Sequence, residues 1–200
     1  DFALWRAPLD GTTCAPRDEW EPLLPHRPGT RIAGVEAFAD HLVVHGRTEG
    51  LTAIWVLDPT GGEPRRLATD DPVGTISPGA NAVFATSSYR FGYQSLTQPA
   101  SVWDEDLATG ERTLRKRQPV LDGFDPDHYR SAREWAPAPD GTLVPISLVW
   151  RPDAVPADGG PAPCLLYGYG AYEVSMDPWF SIARLSLQPI LGEHGFNPPC

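Results

Sequence analysis

The run Tyr167-Gly-Tyr-Gly-Ala-Tyr172 places three phenols and two glycines within six residues. A phenol is neutral at pH 7 and donates a hydrogen bond. Glycines on both sides of Tyr169 let the backbone come close to a bound molecule. The same residues also suit an aromatic–glycine loop that only packs, and the run taken by itself favours that plainer reading. Asp177-Pro178 follows, a pair that reads as a helix N-cap with proline at the first helical position. Nucleophilic chemistry lacks its usual signature here. No G-x-S-x-G run occurs, Gly74-Thr-Ile-Ser-Pro-Gly79 has the wrong spacing, and His194 has no serine motif to serve. The cysteines, Cys14, Cys164 and Cys200, are odd in number and none are spaced as metal ligands. No metal and no other cofactor is expected, and the thiols read as the reduced thiols of a cytoplasmic protein.

The elements that must position these residues show a repeat. Trp5, Trp55 and Trp103 recur at about fifty residues. Each sits in an apolar run, Phe2–Asp10, Leu51–Asp58 and Ala100–Leu107, that ends in a turn containing Asp or Gly. A short strand is expected after each turn, at Trp20–Leu24, Pro64–Leu67 and Arg112–Leu114. Alternating strands are expected at Gly34–Phe38, His41–His45 and Ala82–Thr86. Four short strands per unit of this length are the mark of a β-propeller blade, against the rival of a β-sandwich whose tryptophans repeat by chance. Trp150 keeps the period but leads into no matching turn and strand.

The pattern changes near residue 125. Beyond it, Pro139-Asp-Gly141 lies between Arg133–Ala136 and Val144–Trp150, a strong hairpin signal. Pro163–Tyr167 is continuous and apolar and reads as a fully buried strand. Phe180, Ala183 and Leu187 share a face at helical spacing, so a short helix is expected over 179–187. The fold class expected is mainly β followed by the start of an α/β domain: 1–125 as part of a propeller of about two and a half blades, and 126–200 as the opening of a second domain.

Composition sets the limits. The chain has 200 residues, 41% of them apolar, enough for a packed core, while 23 Pro and 19 Gly fit many short strands joined by tight turns. A net charge of −10 argues against nucleic acid as a partner. No apolar run approaches membrane-spanning length, so no membrane partner is expected. The opening residues Asp1–Trp5 read like the middle of a strand, and the first residues of the natural protein are expected to lie upstream.

Tyr129-Arg-Ser131, Asp140-Gly-Thr-Leu-Val-Pro-Ile-Ser-Leu-Val149, Leu165–Tyr172 and Asp177–Leu187 occur in this order and close together. This set resembles the start of the catalytic domain of the prolyl oligopeptidase family of serine peptidases, and within it oligopeptidase B-like members. Ala37–Val44 and Gly50-Leu51 resemble the propeller of the same enzymes. The resemblance implies a propeller capping an α/β-hydrolase domain, with short basic peptides cut after Arg or Lys. It implies that Tyr169 is an oxyanion-hole donor, that Asp177 contacts a basic substrate side chain, and that Tyr172 lines the substrate pocket. Trp179 stands where some relatives carry a second acid. The serine, aspartate and histidine of such enzymes lie further along than Cys200, and Pro198-Pro199 oppose the central strand expected there. The chain is therefore expected to be an internal fragment, inactive alone. The rival readings are a non-catalytic propeller-type interaction module or gene remnant, and a post-proline oligopeptidase, which Asp177–Ser181 disfavours.

Overall fold

The structure, a computed structural model, describes residues 2–121, 124–172 and 174–181. Fourteen strands form small antiparallel sheets among them. The first four are β1 (Leu4–Arg6), β2 (Leu9–Asp10), β3 (Thr13–Cys14) and β4 (Glu21–Leu24). β1 pairs with β4, and β2 with β3 in a separate short hairpin. The run Phe2–Asp10 is thus two strands rather than one, with Pro8, which has no N–H to donate, between them.

Two four-stranded sheets follow. One is β5 (Thr30–Ala37), β6 (Leu42–Thr48), β7 (Leu51–Leu57) and β8 (Arg65–Arg66), ordered β5-β6-β7-β8. The other is β9 (Gly74–Pro78), β10 (Ser88–Ser95), β11 (Ser101–Asp106) and β12 (Arg112–Arg117), also in sequence order. Trp55 and Trp103 fall on the third strand of their sheets, and Trp5 on β1, the partner of β4. Two complete four-stranded units, with β1–β4 before them, make the partial β-propeller that the tryptophan period implied.

Burial explains why these strands are so apolar. β7 buries Ala53, Ile54, Trp55, Val56 and Leu57 in succession, so both of its faces are covered. Leu24, Val44, Ala53, Trp55 and Leu57 form one core, against which Leu4, Ile32 and Leu42 pack. A blade stacked between neighbours needs this two-sided pattern, whereas a solvated sheet would alternate.

Two expected strands are absent. Ala82–Thr86 is a loop with Val83 and Phe84 exposed. Asn81 closes it: its Nδ2 donates to the carbonyls of Gly79 (3.2 Å) and Arg90 (2.9 Å), and its Oδ1 accepts from Arg90 N–H (2.7 Å). The strand is β10 instead, with Tyr89, Phe91, Tyr93 and Ser95 buried at alternate positions. Pro163–Tyr167 forms no strand, and Leu166 is 87% exposed. A strand buried on both faces requires neighbouring strands along its edges, and no described strand takes in this run.

The hairpin is as expected. β13 (Arg130–Pro137) pairs with β14 (Leu143–Trp150) in unbroken register from Arg130↔Trp150 to Pro137↔Leu143. Gly141 takes φ 83°, and Asp140 Oδ1 accepts from Thr142 N–H at 2.9 Å. Trp150 lies on this hairpin, outside the blade repeat.

The chain divides into two compact units. One is built from Asp1–Thr69, Ile76–Gly92 and Val102–Arg115, the other from Asp70–Thr75, Tyr93–Ser101 and the chain from Lys116 onward.

Candidate functional site

The residues singled out from the sequence lie in the second of these units. Tyr169 is 48% exposed in a stretch without regular structure, between glycines whose missing Cβ atoms would meet nothing. Tyr172 is 91% exposed and adopts φ 54°, the left-handed region that costs a non-glycine residue about 1 kcal/mol or more. Asp177 is half-buried in a pair of tight turns. Its N–H donates to the Ser175 carbonyl (3.2 Å), and its own carbonyl accepts from Trp179 N–H (2.9 Å). No helix begins here: Asp177–Ser181 is irregular, so the N-cap reading does not hold over the described residues. The rest of the helix expected over 179–187 lies outside them, as do His194 and Cys200.

Asp177 is the best anchored of the three. Next to it Pro178 is buried, and its carbonyl accepts from Thr75 Oγ1 at 3.3 Å. Phe180 N–H donates to Gln94 Oε1 at 3.2 Å. The Phe180 ring meets Phe124 edge-on, with centroids 5.0 Å apart, and Phe124 stacks on Tyr129 at 5.6 Å. Asp125 accepts from Asp127 N–H and so caps the short turn that delivers Tyr129. Thr75 and Gln94, which the sequence reading passed over, carry no motif of their own; what signals them is polar residues out of phase with buried ones on β9 and β10.

Behind Thr75 and Gln94 lies a polar cluster. Tyr93 Oη donates to Asp71 Oδ2 (2.7 Å), and Thr97 Oγ1 donates to Asp71 Oδ1 (3.2 Å). Burial, reinforced by the Asp71 carboxylate that the phenol faces, pushes the Tyr93 hydroxyl well above its ordinary range, so it stays a donor. Ser95 Oγ accepts from the N–H groups of Thr97 (3.1 Å) and Gln98 (2.9 Å), fixing the turn after β10. Chemically, the unit offers exposed phenols on a glycine-rich run and an acidic residue, Asp177, at the start of an anchored segment that carries Trp179 and Phe180. Among the described residues no His, Cys, Asp and Glu side chains gather as a metal site.

The first unit holds charge of a different kind. Glu105 is 1% exposed and is gripped by Arg65 Nη1 (2.6 Å) and Arg112 Nε (2.8 Å). Asp104, next to it on β11, takes Arg90 bidentately (2.7 and 2.9 Å) and Arg115 Nε at 2.7 Å. The Arg90 hydrogen bonds, helped by Arg115, hold the Asp104 carboxyl down at about 2. These clamps use every charged group they contain internally and serve packing.

Residues 2–118 match the N-terminal β-propeller domain of prolyl oligopeptidase. The chain belongs to the prolyl oligopeptidase family. Members of this family are serine peptidases. Among individual family members, dipeptidyl aminopeptidase BI of Pseudoxanthomonas mexicana is 37% identical over 188 residues, which cover 94% of this chain and 25% of that protein. Protease 2 of Moraxella lacunata is 35% identical over 150 residues, covering 75% of this chain and 21% of that protein. In three dimensions the chain is similar to oligopeptidase B from Trypanosoma brucei with covalently bound antipain. The TM-score is 0.70 at 31% identity, over 90% of this chain and 29% of that one. Oligopeptidase B from Leishmania major gives 0.71 at 30% identity, over 92% and 29%. The chain thus spans about a quarter of the length of the family members it matches. No described helix is long and apolar enough to cross a membrane.

Proposed function

We propose that the chain is part of an oligopeptidase B-like serine endopeptidase that cuts short peptides after Arg or Lys. In this reading 1–125 is the C-terminal part of the propeller and 126–200 opens an α/β-hydrolase peptidase domain. The chain alone lacks the nucleophile, base and orienting acid, works in the cytoplasm only as part of the whole enzyme, and uses no cofactor.

The observation that carries the reading is the anchored Asp177. A carboxylate on a backbone tied down on its C-terminal side, beside Trp179 and Phe180, suits a guanidinium or ammonium group, which forms charge-assisted bonds to it. Tyr172, being exposed, contributes an aromatic wall to the same substrate. Tyr169 donates its phenol proton in a hydrogen bond to the oxyanion that forms when serine attacks the peptide carbonyl. Such a donor contributes roughly 3–4 kcal/mol to the transition state.

The test is kinetic, in the full-length protein. Asp177→Asn is expected to abolish the preference for Arg and Lys, and Tyr169→Phe to lower kcat far more than it weakens binding. An unchanged kcat in Tyr169→Phe removes the oxyanion role. A second reading has one observation behind it, the 37% identity to a protein named dipeptidyl aminopeptidase. Peptides with blocked N-termini separate the two, because an aminopeptidase needs a free amine and an endopeptidase does not.

A further inference from the structure

Thr75 and Gln94 lie on neighbouring strands of one sheet, β9 and β10. In both strands the flanking residues are buried, Gly74 and Ile76 on one and Tyr93 and Ser95 on the other. Thr75 and Gln94 are out of phase with them, half-buried on the opposite face. Each directs its polar atom to the backbone of the same remote tripeptide. Thr75 Oγ1 donates to the Pro178 carbonyl and Gln94 Oε1 accepts from Phe180 N–H, across 103 and 86 residues of sequence. Together they bracket Trp179 and fix the segment that begins beside Asp177.

The support beneath them is stiff. A Cβ on Gly74 would lie 2.8 Å from the Tyr93 ring, so the ring fills the space that any other residue would occupy. The Tyr93 hydroxyl is in turn held by Asp71. Pro178 has a fixed φ and Phe180 is lodged against Phe124. The chain from Pro178 to Phe180 is thus tied on both sides of Trp179, and Asp177 leads directly into it.

We infer that Thr75 and Gln94 are positioning residues that set the place of the Asp177 carboxylate and thereby the enzyme's selectivity for a basic side chain. This rests on the reading of Asp177 as the substrate contact. Charge-assisted bonds are sharply dependent on geometry, and a misplacement near 1 Å in an active site costs up to about a hundredfold in rate. Releasing one of two tethers displaces the carboxylate by less, and a loss of about tenfold in selectivity is the expectation.

The experiment uses the full-length enzyme with two peptides that differ only in Arg or norleucine at the cleaved bond. Thr75→Val and Gln94→Leu are each expected to lower the Arg-over-norleucine ratio of kcat/KM by about tenfold. The change falls in KM for the Arg peptide, with kcat for the norleucine peptide unchanged. Thr75→Ser, which keeps the hydroxyl, restores the ratio, which a mere loss of packing would not. Amide exchange at Phe180 accelerates in Gln94→Leu. Accelerated exchange with an unchanged ratio in both variants overturns the inference. Asp177→Asn separates the two levels. If it abolishes the Arg preference while the tether variants leave it intact, only the inference falls; if it leaves the preference intact, the reading of Asp177 falls and the inference with it. Thr75→Val replaces a hydroxyl by a methyl, so the test stands on that variant and its serine counterpart even if Gln94→Leu does not fold.

Discussion

Replacing Glu105 by Gln removes one charge at nearly constant volume from the most buried carboxylate described in the chain. Glu105 is 1% exposed, and both of its oxygens are taken, one by Arg65 and one by Arg112. An amide in its place keeps one acceptor and turns an N–H donor toward a guanidinium donor. Hydrogen bonds to charged groups contribute about 1.5–3 kcal/mol each, and breaking a buried pair costs about 3–5 kcal/mol. The partners soften this loss. Arg65 is partly in water and keeps its bond to the Leu107 carbonyl (3.2 Å), while Arg112 keeps the Ala68 carbonyl (2.8 Å) and its seat over the Phe91 ring (5.3 Å). The expected destabilisation is therefore about 2–4 kcal/mol. At about 2–4 °C per kcal/mol for a chain of this size, Tm falls by roughly 4–16 °C. Urea unfolding followed by tryptophan fluorescence should show a lower midpoint at unchanged slope. Glu111→Gln, at an exposed position, serves as the control and should stay within about 0.5 kcal/mol. A Glu105→Gln midpoint equal to that of the control would refute the view that the clamp holds the sheet together.

Asp104 supplies a pH prediction. Its carboxyl is held at about 2, below its unfolded value near 3.9, so it stabilises the fold above about pH 4 and loses that contribution as pH falls toward 2. With half-exposed arginine partners the contribution is about 1–2 kcal/mol, and the difference in urea stability between the parent and Asp104→Asn should shrink steadily as pH falls through that window. Gly46→Ala should be among the most damaging single changes: its Cβ would lie 2.0 Å from the Arg31 carbonyl oxygen, a backbone atom that cannot swing aside. A loss above about 3 kcal/mol, or no soluble folded product, is expected, and near-parental stability would show that β5 can move.

The parts legible from sequence were those specified locally. The tryptophan-bearing strands and the Asp140-Gly141 hairpin depend on apolar runs and turn residues a few positions apart, and the structure has both. β10 was legible in principle, because Tyr89, Phe91 and Tyr93 alternate, but the denser apolar pair Val83-Phe84 drew the strand toward 82–86. The Asn81 bonds that turn that stretch into a loop belong to one side chain and Arg90, nine residues on. Pro163–Tyr167 failed for the opposite reason. Its apolar run states a need for burial, but whether burial is met depends on partner strands that no local pattern reports. The tethers of Asp177 were invisible on the same ground, since a Thr and a Gln signal nothing until the fold sets them opposite Pro178 and Phe180.

That division between local and remote also explains how the blades cohere. Hydrogen-bond ladders run within each four-stranded sheet and stop at its outer strand. In the first unit one backbone bond, Ala39 N–H to the Phe84 carbonyl at 3.0 Å, and several side chains reach from one blade to the next. Tyr89 Oη donates to Glu36 Oε1 at 2.6 Å, linking β10 to β5, with Phe38 edge-on to the same ring at 6.0 Å. Thr52 Oγ1 accepts from Ile76 N–H at 2.8 Å, linking β7 to β9. Arg65 of β8 reaches Glu105 of β11. Each of these side-chain bonds joins a strand of one blade to a strand of the next, so neither sheet can satisfy its polar groups alone. Burial and its Glu36 partner push the Tyr89 phenol well above its ordinary range, so it stays a donor at neutral pH. Arg65–Glu105 is the link that charge reversal can test. Swapping the two residues leaves a pair of the same charges, but the arginine would then be the fully buried member. If the link needs only opposite charges, the double variant recovers the stability that Glu105→Arg alone loses. If it needs the carboxylate inside, where Arg112 also binds it, the double variant stays destabilised, and the three-residue arrangement predicts the second result.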